Sequence, residues 1–167
     1  MSRSCAVLEG GGLRCWGSGS FGGLGYGNSE SIGDIESPAA AGDVPVGFAV
    51  TQVETNGAQQ FTCAKSDYGA VRCWGINEDA QLGYTHTLPI GMTETPAAAA
   101  QPGGIGGDLV LNRPALALVS GARCALLDNL ALRCWGANDS GQLGKPEFFP
   151  NGSLGRTPAA VGPITWE

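Results

Sequence analysis

Residues 71–83 read VRCWGINEDAQLG, and close copies stand at 13–25 (LRCWGSGSFGGLG) and 132–144 (LRCWGANDSGQLG). Taken alone, the first copy spells G-x-G-x-x-G from Gly17 to Gly22, a pattern that can seat a dinucleotide on a helix N-terminus. The other copies argue against that. Gly19 corresponds to Asn77 and Asn138, and Gly22 to Ala80 and Gly141. Nor does the sequence after Gly22 carry an apolar face at helical spacing. The stretch is a repeat element, and the fold is to be read from the repeat.

Cys15, Cys73 and Cys134 recur inside the element, and each follows another cysteine (Cys5, Cys63 and Cys124) ten positions later. All six cysteines are used in this C-x9-C spacing. In the second copy a turn-like Ser66-Asp67-Tyr68-Gly69 lies midway, and folding the chain about it sets Cys63 opposite Cys73. Facing residues at a non-hydrogen-bonded site have Cβ atoms about 4.5–5.5 Å apart, close to disulfide reach. Three cross-strand disulfides, Cys5–Cys15, Cys63–Cys73 and Cys124–Cys134, explain the even count and the fixed spacing. Free buried thiols are a competing reading. Zinc is disfavoured by the absence of C-x2-C and the single histidine, His86. Disulfides would imply an oxidising compartment.

Twenty-eight glycines and ten prolines in 167 residues favour short strands and turns over long helices. The net charge of −6 and the scatter of nine basic residues disfavour nucleic acid, whose phosphates call for clustered Lys and Arg. No apolar run approaches the roughly 20 residues that span a bilayer. No signal peptide is written at the start of the chain, which opens partway through a repeat.

After each element comes a loop that also repeats: LGYGNSESIGDIESPAAA (24–41), LGYTHTLPIGMTETPAAA (82–99) and, one residue longer, LGKPEFFPNGSLGRTPAAV (143–161). Strand-like runs follow at 48–55 and at 109–119, the second broken by Pro114. One repeat therefore holds three or four short antiparallel strands, the content of a propeller blade. Approximate blades are 1–57, 58–118 and 119–167 of one continuous array.

The hairpin C-A-x-L followed by [LV]-R-C-W-G-x-N-x-x-G-Q-L-G, a loop and P-A-A resembles the regulator of chromosome condensation repeat family, over nearly the whole chain. Members of that family are seven-bladed β-propellers. The resemblance therefore implies an all-β chain of about three blades, an incomplete propeller arc that closes or extends by association of copies or through further flanking repeats. The loop wording LGYGNSESIGDIESPAAAGD is similar to a variant in long surface proteins of myxobacteria, which implies a secreted or surface-displayed bacterial setting. Family functions range from nucleotide exchange to light reception and enzyme inhibition, and do not transfer with the fold. The first copy departs from the pattern at Gly17–Gly23, and the third carries Pro146-Glu147-Phe148-Phe149-Pro150 in place of the Gly-Asp segment.

Trp16, Trp74 and Trp135 are expected to be blade-core packing residues, large and apolar with one N–H to satisfy. His86 is expected to be a solvated loop residue, with no partner for a metal site or a nucleophile dyad. Asp34, Glu36, Asp43, Glu78, Asp79 and Asp139 are loop carboxylates whose counterparts are often neutral, which argues against paired acid and base. Calcium at these loops has no spacing to support it. Phe148 and Phe149 have no copy in the other repeats, so they are candidate contact residues as well as candidates for covering the blade below. No catalytic residue, metal or cofactor is expected. The expected function is a noncatalytic module presenting loops to a protein partner. A self-assembling structural repeat is the alternative, because an open arc exposes strand edges that copies could cover. An enzyme inhibitor or exchange-factor-like propeller is a further one.

Overall fold

The computed structural model describes residues 2–119, 121, 123–144 and 157–164. Among them eight short strands form three antiparallel sheets. Strands β1 (Arg3–Val7) and β2 (Leu13–Gly17) make the first. The second is β3 (Val50–Asn56), β4 (Phe61–Ser66) and β5 (Val71–Gly75), and the third is β6 (Ala115–Val119), β7 (Cys124–Leu127) and β8 (Leu132–Cys134).

The hairpin register is the one the cysteine spacing demands. Cys5 faces Cys15, Cys63 faces Cys73 and Cys124 faces Cys134, and each pair of sulphurs lies at disulfide distance. The turns make this possible with backbone in the left-handed region. Gly11 and Gly69 take φ of +84° and +85° at equivalent places, and Leu130 takes +65° at the third. Beyond each of the first two hairpins the loop returns to add a single-residue bridge at the sheet edge. Ile32 exchanges two backbone hydrogen bonds with Gly17, and Ile90 does so with Gly75.

Sequence repeat and sheet are out of step by one strand. The run before each hairpin pairs with that hairpin, so β3 joins β4 from Val50–Ser66 to Asn56–Phe61. A cut at 57 falls in the β3–β4 turn, and a cut at 118 falls inside β6. Pro114 ends the preceding segment, and β6 starts immediately after it.

The P-A-A segments fold as four-residue helices: α1 (Pro38–Ala41), α2 (Pro96–Ala99) and α3 (Pro158–Val161). Proline fits the first helical position, where its missing N–H costs nothing. Thr95 and Thr157 cap α2 and α3 through Oγ1, accepting from Ala98 N and Ala160 N at 3.3 Å. These helices tie the repeats together. Ala97 N donates to Pro45 O and Ala159 N to Val110 O, both at 2.9 Å.

One apolar core runs through the repeats, including Leu13, Leu24, Phe61, Trp74, Leu82, Leu127 and Trp135. Cys124, Cys134 and Leu143 form a separate small cluster at the third hairpin.

Candidate interaction surface

Neighbouring repeats meet through tryptophan and glycine. Trp74 and Trp135 are fully buried. Each covers the Leu-Gly pair of the preceding repeat: a Cβ on Gly25 would stand 2.7 Å from Trp74 Nε1, and one on Gly83 2.9 Å from Trp135 Cδ1. Both are closer than real Cβ contacts allow, so glycine is what lets the indoles seat. Thr62 adds a hydrogen bond across the first junction, its hydroxyl donating to Gly23 O at 2.8 Å. Trp16 is half-buried against the core.

The arginines of the first two R-C-W-G elements hold their strands to the linkers that follow. Arg14 Nε donates to Asp43 Oδ1 at 2.9 Å and Arg72 Nε to Asp108 Oδ1 at 2.6 Å. Arg133 reaches Pro158 O and Ala159 O instead. This constant frame carries one local elaboration. The Arg72 guanidinium lies 5.1 Å from the centre of the Phe48 ring, within cation–π range. Phe48 in turn meets Tyr68 edge-on, with centroids 6.2 Å apart. Tyr68 sits at the tip of the β4–β5 turn and is 61% exposed. Gly10 and Asn129 hold its place in the other hairpins, so the blade does not require an aromatic there.

Two equivalent clefts lie beside the helices. The larger, about 400 Å³, is lined by Tyr84, Thr85, His86, Ile105, Asp108 and Thr157. The other, about 360 Å³, is lined by Tyr26, Asn28, Glu30, Ile32, Glu36 and Ala40. Each tyrosine hydroxyl is structural. Tyr84 Oη donates to Gly107 O at 2.7 Å and accepts from Cys73 N at 3.3 Å, and Tyr26 makes the same pair with Gly42 O and Cys15 N. Burial pushes the Tyr84 phenol up to about 12, and it raises Tyr26 as well.

His86 differs from its expected place in solvent. It is half-buried and stacked on Tyr84 with rings 5.6 Å apart. Its Nδ1 accepts from Leu88 N and its Nε2 donates to Ile105 O. Both nitrogens are engaged because the loop folds back on itself around Asn77. That side chain is fully buried, accepts from Leu82 N at 3.0 Å and donates to His86 O at 2.7 Å.

Among the loop carboxylates, Asp79 and Asp139 both act electrostatically on the Arg123 guanidinium. Asp43 pairs with Arg14, and Asp139 accepts from Gln142 Nε2 at 2.7 Å, a hydrogen bond that lowers its carboxyl below the ordinary range. Among the described residues no group of three or more His, Cys, Asp or Glu is placed to hold a metal, and no helix is long and apolar enough to cross a membrane. Ser20–Gly22 is a single 3-10 turn, so the G-x-G-x-x-G stretch opens no helix that could seat a phosphate. Phe148 and Phe149 lie outside the described residues. Sequence reading passed over Phe48 and Tyr68, although Tyr68 carries the same signal as Phe148 and Phe149: an aromatic without counterparts.

No protein-family model matches the chain. Solved structures do match. The crystal structure of human WBSCR16 superposes with a TM-score of 0.65 over 93% of this chain at 18% identity. That of Prp20p from Saccharomyces cerevisiae gives 0.59 over 97% at 16%, and a structure of Kap60 bound to yeast RCC1 (Prp20) gives 0.62 over 93% at 16%. The fold is an incomplete β-propeller. The chain spans 36%, 35% and 34% of the length of those chains.

Proposed function

We propose that the chain is a noncatalytic propeller module that presents loops to a protein partner, on a secreted or cell-surface bacterial protein. The observation that carries this reading is the contrast between frame and loops. The hairpin register, the cysteine pairs and the Arg-to-linker contacts repeat, while the loop tips change chemical type, from Gly10 to Tyr68 to Asn129. A constant frame with variable tips is how rigid scaffolds carry recognition. The structural neighbours fit the class: Prp20p is described with binding properties to Gsp1p and histones, and yeast RCC1 with Kap60 bound. Cysteines at disulfide distance suit an oxidising compartment.

Within this reading Tyr68 and Phe48 form one contact patch, and Phe148 and Phe149, adjacent in sequence between Pro146 and Pro150, are a second candidate contact. The test is capture by the immobilised chain of a partner cross-linked on the surface of the native host. Tyr68→Ser or the Phe148→Ser/Phe149→Ser pair should weaken capture about tenfold or more, as at interface hot spots, with little change in melting temperature. Retention unaffected by both variants would refute these patches.

A further inference from the structure

Inside the chain one repeat meets the next in the same way twice. Trp74 closes on Gly25 and Trp135 on Gly83, each beside a buried leucine, Leu24 or Leu82. The linker residue Val44 completes the first seat from the other side of Gly25. The third repeat builds this seat again. Gly144 has φ +63° beside buried Leu143, and Ile164, the counterpart of Val44, stands 3.3 Å from where its Cβ would be. Ile164 N donates to Leu132 O as Val44 N donates to Leu13 O. Yet Gly144 is exposed. Leu143 belongs to the small separate cluster, whereas Leu24 and Leu82 are joined to the main core. At the opposite end Trp16 is half-buried, in contrast to the fully buried Trp74 and Trp135.

We propose that a second copy of the chain docks end to end, Trp16 of one copy seated on Leu143–Gly144 of the other. The contact continues the internal repeat interface by one step. Its polar half is also present: Ser4 is the counterpart of Thr62, and its exposed hydroxyl would donate to Gln142 O as Thr62 donates to Gly23 O. The interface is heterologous, so copies add in one direction and either close a ring or extend. This goes beyond the loop-presenting function and stands without it.

Light scattering of the 167-residue chain should show a mass rising above 17.0 kDa with concentration. Trp16→Ser removes one face and Gly144→Asn, which tolerates positive φ, obstructs the other. Each should weaken association about thirtyfold or more. Mixed together, the two variants should form dimers that grow no further, because each contributes one intact face. In the unaltered chain, amide exchange at residues 4–7 and 143–144 should slow as concentration rises. A 17.0 kDa species at every concentration, association that both variants leave intact, or exchange that does not respond to concentration would each overturn the proposal and assign the Trp16 face to another occupant.

Discussion

The side-chain amide of Gln52 pairs with both backbone groups of Leu118: Nε2 donates to Leu118 O and Oε1 accepts from Leu118 N, each at 2.8 Å. Gln52 lies in β3 and Leu118 in β6, so this one side chain bridges two sheets as a strand would. Leu118 is buried, and leaving its N–H and C=O without partners costs about 1–3 kcal/mol. Gln52→Ala should therefore lower Tm by roughly 3–10 °C, checked by calorimetry.

Removing the central cysteine pair tests the hairpin frame. Cys63→Ala with Cys73→Ala deletes a link of sequence separation 10, which the chain-entropy model values at about 2–3 kcal/mol. A Tm drop of about 5–10 °C is expected, and unreduced digests of the unaltered chain should yield the three linked peptide pairs. Quantitative alkylation of the thiols in chain from an oxidising host would contradict the pairing.

Leu130 occupies the left-handed turn position that Gly11 and Gly69 hold in the other hairpins, and it is 75% exposed. A leucine there pays a steric cost of about 1–2 kcal/mol that glycine avoids, while glycine raises the entropy of the unfolded chain. Leu130→Gly should be net stabilising, by about 0.5–1 kcal/mol, in urea titrations. A loss of stability would show that the third turn departs from the other two.

The half-buried Tyr84 phenol, hydrogen-bonded to Gly107 O, makes the fold sensitive to alkali. Its folded pKa of about 12 exceeds the ordinary value of 10.0, so the fold favours the neutral form. The contribution, about 2–3 kcal/mol, is complete below pH 10 and is lost as pH rises through about 12. Stability measured by urea should fall less steeply over this window in Tyr84→Phe than in the unaltered chain.

The hairpins were legible in the sequence because a fixed cysteine spacing about a central turn leaves one register. The helices were not: Pro38–Ala41, Pro96–Ala99 and Pro158–Val161 are too short to show a 3.6-residue period, and their signal is a Ser or Thr before proline. The place of Val50–Asn56 was ambiguous, since a strand can close the repeat it ends or open the next, and pairing with Phe61–Ser66 decides it. The seats at Gly25 and Gly83 read as turn glycines, because the tryptophans that require them belong to the next repeat. Tyr68 could have been found by its lack of counterparts, but its contact with Phe48 depends on how β3 returns beside the hairpin.

Face-to-face stacking of repeats, tryptophan on glycine, is tested most directly by a double-mutant cycle between Gly83→Ala and Trp135→Leu. Gly83→Ala alone should cost about 2–4 kcal/mol from the left-handed backbone and the clash with the indole. Gly103→Ala, at φ +87° with nothing within 4 Å of the added Cβ, should show the backbone part alone. With the indole removed the clash disappears, and the two changes should couple by about 1–3 kcal/mol. Additivity within about 0.5 kcal/mol would mean that Trp135 does not sit on Gly83 and that the repeats do not stack as described.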